Sequence, residues 1–484
     1  MLFGEKVYGL MQETKACWDP EGVFNARKIV NTPPMDTSLR YEIGDSNVTS
    51  RTYFDFSKEK GWLCAIEQCN GSGDCRKSYA FGGTMCPSFR ATREESHTTR
   101  ARANTLRELM TRPRTKKIYD QREILEVLDT CVSCKACKSE CPSNVDIARF
   151  KAEFLQQHYD VCGVPMKAFL IARLTEIQRL GTILPWFYNA IVRNRMTGGM
   201  LKRMLHFAPE RAIPTLYKTT LKHWLGRYRQ KNRGETVGKV FLFADEFTNY
   251  MDVEIGIKMI ELLDWLGYEV IIPKHVESGR TAISKGMLKV AKGVARKNVL
   301  LLKDLVTENI PLVGIEPSCI LSFRDEYPDL VGEDLKEEAV RLGKNCLLYD
   351  EFFTREIRAG RIQAEQFTDQ PLKIMLHGHC HQKSLVSVEP SREMLSLPVN
   401  YSVEVIPSGC CGMAGAFGYE KKHYELSMKI GEQVLFPAVR GAGEDVCISA
   451  PGTSCRQQIK DGTGKQALHP IEVLYEALKC TKEK

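Results

Sequence analysis

Two patterns of hydrophobic and polar positions divide the chain. From about residue 240 onward, short apolar runs such as 240–245 and 372–377 alternate with longer stretches whose apolar residues recur with helical spacing. Strands that alternate with amphipathic helices are typical of an α/β fold with parallel sheets. Upstream, residues 93–110 and 123–128 show helical spacing without strands. The pattern therefore predicts a mixed fold, with a helical N-terminal part and an α/β C-terminal part.

The α/β part is predicted to be a duplication, because its two halves carry the same features in the same order. In each half two apolar strands precede a short loop motif, and a cysteine follows later in the chain. These features lie at 240–245, 268–273, 277–279 and Cys319 in the first half, and at 372–377, 403–407, 410–412 and Cys455 in the second.

Composition excludes several classes of protein. The 484 residues are 43% hydrophobic and 26% charged, with 68 Lys and Arg against 60 Asp and Glu, which is typical of a globular protein and not of a disordered chain. No run approaches the ~18 apolar residues of a transmembrane helix, and the first residues lack the apolar core of a secretory signal. We therefore expect a reducing, cytoplasmic location. In that setting 18 cysteines indicate metal ligands better than disulfides.

The strongest metal motif is a C-x2-C-x2-C-x3-C-P run, made by Cys131, Cys134, Cys137 and Cys141. In ferredoxins this spacing lets three thiolates hold one [4Fe-4S] cube, while the fourth cysteine reaches toward another cluster. A structural zinc site more often splits its ligands into two distant pairs. The spacing therefore predicts an iron-sulfur site, and the helical surroundings predict a helical ferredoxin domain.

A second cysteine block upstream, from Cys69 to Cys86, supplies the partners that this motif requires. Two ligand sets follow, namely Cys86, Cys131, Cys134 and Cys137 for one [4Fe-4S] cluster, and Cys69, Cys75 and Cys141 for a second cluster. The second set lacks a fourth ligand, because Ser72 stands where a further cysteine is expected. That set could hold a three-iron cluster, recruit Cys64 or Ser72, or stay empty.

A third group of cysteines follows the strands of the α/β part. Open α/β folds bind ligands at the carboxyl ends of their strands, and paired thiolates attract soft metals or clusters. The predicted metal site consists of Cys319, Cys380, Cys410, Cys411 and Cys455, with His377, His379 and His381 as further candidates for ligation or proton relay. In the alternative interpretation these loops pack against a partner without a metal.

Positive charge is concentrated in one segment. Residues 167–233 hold fourteen Lys and Arg but only two acids, Glu176 and Glu210, and aromatic residues and prolines interrupt them. We expect several short amphipathic helices, which either dock on anionic lipid or a partner or form a connector whose aromatic side chains pack inward. No nucleic-acid-binding signature accompanies the charge, so we expect no nucleic acid partner.

Three stretches of sequence resemble a known family. They are 85–97 around Cys86, 377–383 around Cys380, and 409–419, which contains Cys410-Cys411-Gly412. They look like the C-terminal iron-sulfur and CCG half of FAD-linked dehydrogenases for D-2-hydroxy acids such as D-lactate, D-2-hydroxyglutarate and glycolate. The CCG unit also resembles that of heterodisulfide reductases. This chain departs from that pattern, since Gly452 replaces the first cysteine of a C-x2-C pair that ends at Cys455.

The N-terminal segment resembles a flavoprotein. From Asp19 to Ile29 the sequence has the form D-P-x-G-x-x-N-x-x-K-I, which is similar to the closing segment of FAD-linked oxidases of the vanillyl-alcohol-oxidase type. The resemblance implies that FAD is carried by a partner domain or subunit and not by this chain. It also implies that the chain is either a separate subunit or a fragment of a fusion.

Together, motifs and resemblance divide the chain into five predicted parts. They are the flavoprotein-like tail at 1–45, the helical ferredoxin domain at 46–160, a basic helical connector at 161–236, a degenerate first CCG-like repeat at 237–368 and a second repeat at 369–484.

The main hypothesis is an iron-sulfur electron-transfer module that is not catalytically complete alone. It would pass electrons from a partner flavin to a quinone, a cytochrome or another respiratory acceptor, in the cytoplasm or peripherally on the inner face of the membrane. No residue is assigned as a catalytic acid or base. The competing hypothesis is a heterodisulfide or thiol reductase subunit with its chemistry at the CCG cysteines.

Overall fold

The computed structural model describes residues 3–37, 51–111, 118–230 and 236–479. The chain forms two compact units, residues 1–48 and 49–484. Within the second unit the fold is mixed, with helices throughout and two parallel sheets in the C-terminal part, which confirms the predicted fold class. The predicted division into five segments stays a prediction.

The first unit contains helix α1, Gly4–Trp18, and a tight turn organised by Asp19. The Asp19 carboxylate accepts hydrogen bonds from the backbone N–H groups of Val23 and Phe24, at 2.8 and 2.9 Å, and it pairs with Lys15. The D-P-x-G motif therefore closes the turn after the helix. This unit exposes large apolar side chains, which include Leu10, Trp18, Val23, Phe24, Ile29 and Met35.

The second unit begins with a helical region that surrounds the ferredoxin-type motif. Its helices are α2 (Trp62–Glu67), α3 (Pro87–Thr92), α4 (Thr99–Thr111), α5 (Arg122–Asp129), α6 (Ala136–Glu140) and α7 (Ile147–Cys162). Asp146 precedes the long helix α7, and its carboxylate accepts a hydrogen bond from the Arg149 backbone N–H at 3.1 Å, as a typical N-cap does. Ile124 and Leu128 are the buried residues of α5. The predicted helical surroundings of the motif are confirmed.

The basic segment forms short helices, as its pattern predicts. They are α8 (Met166–Ala172), α9 (Leu174–Gly181), α10 (Pro185–Arg193), α11 (Arg195–Met204) and α12 (Leu221–Leu225). Helices α10 and α11 pack closely at Gly198, where a Cβ atom would lie 2.5 Å from the carbonyl oxygen of Val192. The aromatic residues of this segment differ in how far they are buried. Trp224 and Tyr228 pack against a buried core, whereas Trp186 and Phe187 are 69% and 52% exposed.

The first α/β half contains a parallel sheet of strand order β2-β1-β3-β4. Its strands are β1 (Gly238–Phe243), β2 (Tyr268–Ile271), β3 (Leu312–Gly314) and β4 (Cys346–Leu348). Its helices are α13 (Val253–Trp265), α14 (Arg280–Ser284), α15 (Leu288–Leu302), α16 (Pro317–Ile320), α17 (Ser322–Asp325), α18 (Tyr327–Leu330), α19 (Lys336–Lys344) and α20 (Tyr349–Arg358). Strand β1 buries Val240, Leu242 and Phe243 completely, as expected where helices cover both faces of a parallel sheet.

The second α/β half repeats this arrangement with a parallel sheet of order β6-β5-β7. Its strands are β5 (Leu372–Leu376), β6 (Tyr401–Val405) and β7 (Val446–Ser449). Its helices are α21 (Cys380–Leu385), α22 (Glu389–Leu395), α23 (Tyr424–Glu432), α24 (Leu435–Gly441), α25 (Thr453–Thr463) and α26 (Pro470–Glu476). In both halves the first strand lies between the second and the third, which confirms the predicted duplication. The two sheets share one core, in which Leu242 and Leu376 both take part.

A buried network of ion pairs connects the ferredoxin-type motif to the first α/β half. Lys135 pairs with Asp325 and, at 2.5 Å, with Glu326. Lys138 also pairs with Asp325, and Arg280 pairs with Glu326 at 2.5 Å. Lys135 is only 3% exposed, so its charge depends on these carboxylates for compensation.

Replacing Asp325 with Asn should destabilise the protein strongly. The substitution keeps the shape of the side chain but leaves Lys138 without its partner and Lys135 with Glu326 alone. Breaking a buried pair in this way typically costs about 3–5 kcal/mol, which chemical denaturation would measure. The control is Asp334→Asn, because the exposed pair of Asp334 with Arg296 is worth only about 0–1 kcal/mol. Equal effects of the two variants would contradict the structural role of the network.

Candidate metal centre

The first predicted cysteine set lines one small enclosed space. Cys86, Cys131, Cys134 and Cys137 all border it, together with Thr99. Cys86 precedes helix α3, Cys131 follows helix α5, and Cys137 lies in helix α6. Four thiols that face a common space at ferredoxin spacing could hold a [4Fe-4S] cube.

Unusual backbone conformations bring these cysteines together. Cys86, Ser133 and Lys135 all have positive φ angles, of 53°, 50° and 63°, which non-glycine residues adopt only where surrounding structure enforces them. The backbone N–H of Thr99 donates a hydrogen bond to the Cys86 sulfur at 3.1 Å. Hydrogen bonds to sulfur are one way in which proteins set the potential of a cluster.

The second predicted set, Cys69, Cys75 and Cys141, also gathers in one place. Cys75 and Cys141 both lie near enough to Cys69 to disfavour its thiolate, although burial is the main reason why the pKa of Cys69 is raised. A hydrogen bond from Cys86 lowers the pKa of Cys75 to about 6, against the effect of burial. The two cysteine sets are therefore in direct contact through Cys75 and Cys86, which the sequence did not indicate.

Neither residue considered as an additional ligand is buried beside this set. Cys64 and Ser72 are both exposed, and the Ser72 backbone N–H donates to the Asn70 side chain at 3.0 Å. The three cysteines could therefore hold a cluster with an incomplete set of protein ligands.

The third set converges at the carboxyl ends of the second sheet. Cys380 hydrogen-bonds to Cys410, and Cys411 hydrogen-bonds to Cys455. His377, which directly follows β5, joins them, since the ligand atoms of His377, Cys411 and Cys455 lie within 4.8 Å of one another. All five residues are buried.

The electrostatics of this third set favour a bound soft metal. Hydrogen bonds from Cys410 and Cys455 hold the pKa of Cys411 well below its usual value, and a hydrogen bond from Cys410 lowers the pKa of Cys380 to about 7. Burial lowers the pKa of His377 to about 4, so its imidazole is neutral. Its Nδ1 is paired with Ser408 Oγ at 2.7 Å, which leaves Nε2 for a metal. Thiolates with a neutral imidazole form a ligand set for zinc, copper(I) or iron-sulfur centres.

The other two histidines have different roles. The His379 side chain accepts a hydrogen bond from the His381 backbone N–H at 3.2 Å and so caps helix α21. His381 Nε2 lies 3.0 Å from the backbone oxygen of Ser133. Of the three candidate histidines, His377 is the one whose ring nitrogen groups with the sulfurs of Cys411 and Cys455. The sequence predicted all three histidines as candidate ligands. It could not distinguish their roles, because ring orientation depends on tertiary packing.

Cys319 lies in a separate cluster in the first half. Its sulfur is grouped with carboxylate oxygens of Asp245 and Glu246, within 4.8 Å. Ser278, which stands where the second half has its cysteine pair, donates its hydroxyl to Glu246 at 2.7 Å. Burial keeps the pKa of Cys319 well above its usual value. The equivalent position in the first half is therefore filled by protein hydrogen bonds, and Cys319 does not join the set around Cys411.

The first and third sets are joined by direct contacts. Ser384 Oγ donates to the backbone oxygen of Cys134 at 3.1 Å, and Cys134 is close enough to Cys380 for their charges to interact. Helix α21 thus carries a cysteine of the third set and touches the loop that holds the first.

Comparisons with known proteins agree with this geometry. Residues 68–146 match the model of a 4Fe-4S dicluster domain. D-2-hydroxyglutarate dehydrogenase of Escherichia coli (strain K12) is 25% identical over 520 aligned residues, covering 99% of this chain and 50% of that protein. One of the subunits of anaerobic glycerol-3-phosphate dehydrogenase from the same organism is 26% identical over 339 residues, covering 70% and 83%. Lactate utilization protein A of Bacillus subtilis (strain 168) is 27% identical over 248 residues, covering 49% and 98%.

The domain match and the cysteine geometry support iron-sulfur cluster binding in the segment 68–146, which is joined to a duplicated α/β unit. The resemblance to D-2-hydroxy acid dehydrogenases and related iron-sulfur proteins is confirmed by these similarities. The chain spans about half the length of the curated D-2-hydroxyglutarate dehydrogenases that it matches.

Asp350 makes the stability around helix α21 dependent on pH. Its buried carboxylate accepts hydrogen bonds from Gln382 Nε2, at 2.5 Å, and from Ser391, and burial raises its pKa to about 7. At a pH between the normal pKa of an aspartate, near 4, and this raised value, Asp350 is protonated in the folded protein but ionised in the unfolded chain. Stability should therefore fall by up to about 1.4 kcal/mol per pH unit across that range and level off above it. Asp350→Asn should flatten this dependence between pH 5 and 8 in thermal melts, whereas an unchanged slope would assign it to other groups.

Proposed function

We propose that this chain is the electron-transfer module of an FAD-dependent dehydrogenase for a D-2-hydroxy acid. The observation that carries the proposal is the direct contact between the cysteine sets. Cys75 touches Cys86, and the Cys134 loop touches the helix that carries Cys380. Centres placed so close together suit stepwise electron transfer, and the similarity to D-2-hydroxyglutarate dehydrogenases supports the substrate class.

Each cysteine set has its own part in the proposal. Cys86, Cys131, Cys134 and Cys137 would hold a [4Fe-4S] cluster, and Cys69, Cys75 and Cys141 would hold a second cluster, as the match to a dicluster domain supports. Cys380, Cys410, Cys411 and Cys455, with His377, would hold a third centre. When bound, such clusters supply one-electron steps, and the protein sets their potentials by burial and by hydrogen bonds to sulfur.

The flavin would be supplied by a partner domain or subunit. The N-terminal unit resembles the end of a flavoprotein domain, and its exposed apolar side chains, such as Trp18 and Phe24, suit a surface that packs against such a partner. The chain alone should therefore transfer electrons without oxidising the hydroxy acid. A quinone or a cytochrome would accept the electrons.

The competing thiol reductase function has one observation in its favour and one against it. The lowered pKa of Cys411 would suit a nucleophilic thiolate. However, Cys410 and Cys411 are each only 3% exposed, which leaves no room for a disulfide substrate to approach. Burial of the sulfurs favours the electron-transfer function.

Cys134→Ser should remove about four irons per chain after anaerobic purification, because it deletes one thiolate of the four that a cube needs. The measurement is iron and acid-labile sulfide, with electron paramagnetic resonance before and after dithionite. The matched control is Cys447→Ser, since Cys447 is half-buried and lies outside all three sets.

The double variant Cys410→Ser with Cys411→Ser separates the two functions. If the chain is an electron-transfer module, the variant should still accept electrons from a reduced flavoprotein at the cluster proposed for the first cysteine set. Loss of a thiol-dependent activity, with electron acceptance intact, would instead favour the reductase. Zinc in place of iron in the unmodified protein would contradict both.

We further propose that helices α9 to α11 dock on the cytoplasmic face of an anionic membrane. Their exposed apolar side chains include Leu180, Ile183, Leu184, Trp186, Phe187, Met196, Met200 and Met204. Among the described residues, no carboxylate pairs with the exposed Arg179, Arg193, Arg195 or Arg203. Uncompensated positive charge beside apolar side chains complements anionic lipid headgroups. No helix in the described part of the chain is long and apolar enough to cross a bilayer.

Trp186→Ala with Phe187→Ala should weaken binding to phosphatidylglycerol vesicles by about tenfold or more, since burying two aromatic rings is worth well over ~1.4 kcal/mol. Vesicle sedimentation measures the effect. The control is Leu300→Ala with Val340→Ala, two exposed apolar residues of the first α/β half. Equal binding to neutral phosphatidylcholine vesicles would show that the basic residues play no part.

A further inference from the structure

A cavity of about 360 Å³ lies beside the loop of the first cysteine set. Cys131, Val132 and Ser133 form part of its wall. The cavity is therefore separated from the proposed cluster by the ligand loop alone. No cysteine set fills it, and the proposed electron-transfer function does not yet use it.

Ionisable side chains line one side of this cavity. Asp129 accepts a hydrogen bond from His423 Nε2 at 2.8 Å, and Lys422 also pairs with Asp129.

The other ring nitrogen of His423 is enclosed by protein and makes no hydrogen bond. His423 is 5% exposed, and its Nδ1 has no hydrogen-bond partner. A carboxylate oxygen of Glu420 lies 3.5 Å from this nitrogen, but Glu420 already pairs with two lysines. Because this nitrogen is covered by protein, His423 contributes its ring to the wall of the cavity.

A lysine connects the cavity to the cysteine loop. Lys151 Nζ donates to the backbone oxygen of Cys131 at 2.7 Å and also lines the cavity. Lys167 and Lys285 lie on the same wall, but both pair with Glu420 at 2.8 Å. Within the described part of the chain, no carboxylate pairs directly with Lys151. Its Nζ lies against the backbone of the cysteine loop, where burial lowers the pKa of Lys151.

The remaining wall is flat and apolar. The ring of Phe417 stacks on His423, with centroids 4.1 Å apart and an interplanar angle of 10°. Leu125, Leu155 and Ala416 complete this side. An aromatic platform, apolar walls and a few hydrogen-bonding groups are the usual features of a site for a planar organic molecule.

We propose that this cavity binds the head group of a quinone, which takes electrons from the adjacent cluster; the inference rests on the electron-transfer function proposed above. Each reduced cluster would give up one electron per step. The two electrons would come from two reduced clusters, or from one cluster that is reduced a second time. The quinone gains two electrons and two protons and leaves as the quinol, while the clusters return to their oxidised state. The two protons come from water, and Lys151 Nζ, which lines the cavity, offsets the negative charge that arrives with the electrons.

The position of the cavity suits a substrate that resides in lipid. Pro165 and Lys167 line it, while their neighbours Val164 and Met166 are exposed. These residues lie at the start of the basic helical segment that continues into the proposed membrane-docking helices. Exposed apolar side chains therefore lie next to residues that line the cavity.

The test uses the holoprotein with its clusters and two variants, Ala416→Phe, which fills the cavity, and His423→Gln, which removes the ring. Binding is measured first, as quenching of the fluorescent quinone analogue 2-heptyl-4-hydroxyquinoline N-oxide by the oxidised protein. Ala416→Phe should weaken binding at least tenfold. The control is Ala359→Phe, since Ala359 is exposed and lies in the first α/β half.

The second measurement is re-oxidation of the dithionite-reduced clusters by ubiquinone-1 and, separately, by ferricyanide, which accepts electrons without a binding cavity. Both variants should slow the reaction with ubiquinone-1 at least tenfold relative to that with ferricyanide. Unchanged analogue binding and unchanged ubiquinone-1 rates in Ala416→Phe would overturn the quinone site but leave electron transfer intact. If the unmodified protein holds no reducible cluster, the proposed function itself fails. Efficient re-oxidation by cytochrome c, with none by ubiquinone-1, would also overturn the quinone site.

Discussion

The arrangement of the three cysteine sets depends on a buried contact between the cysteine loop 131–137 and the duplicated α/β unit. Two lysines beside the loop cysteines are held by Asp325 and Glu326, and Ser384 of helix α21 bonds to the loop backbone. Without these contacts the ferredoxin-type domain would be an isolated cluster carrier. With them, the first cysteine set is fixed between the second set on one side and the third on the other. The position of the first cysteine set relative to the third thus follows from one interface within the chain.

The two α/β halves show how a duplicated fold can keep its architecture while its sites diverge. Both sheets place their central strand and their loops in the same order. In the second half the loops present sulfur atoms around Cys411. In the first half Glu246 and Ser278 satisfy each other by hydrogen bonds, and Cys319 remains a buried neutral thiol. Glu316 of the first half also reaches across to the backbone N–H of Thr453 at 2.9 Å. The first half therefore serves as a wall for the centre of the second half.

The sequence predicted those features that depend on local spacing or on strand order. Cys131, Cys134 and Cys137 are close in the chain, so their convergence requires only a short loop. Cys380, Cys410 and Cys455 follow parallel strands, so their convergence follows from the sheet. The contact of Cys134 with helix α21 was not predictable, because 250 residues of chain separate the partners and only tertiary packing brings them together. Tertiary packing also decides which histidine meets the cysteines, so the sequence could not distinguish His377 from its neighbours. It likewise decides the exposure of Trp186 and Phe187, which the sequence did not indicate because aromatic residues are usually buried.

The enclosure of the third cysteine set has a consequence for how the protein matures. Its four cysteines are at most 8% exposed, and Glu316 closes one side through its bond to helix α25. A metal or preformed cluster could not reach these sulfurs once both halves have packed together. Loading would have to precede the final closure of the two halves, so that assembly of this centre and folding of the α/β unit form a single ordered process.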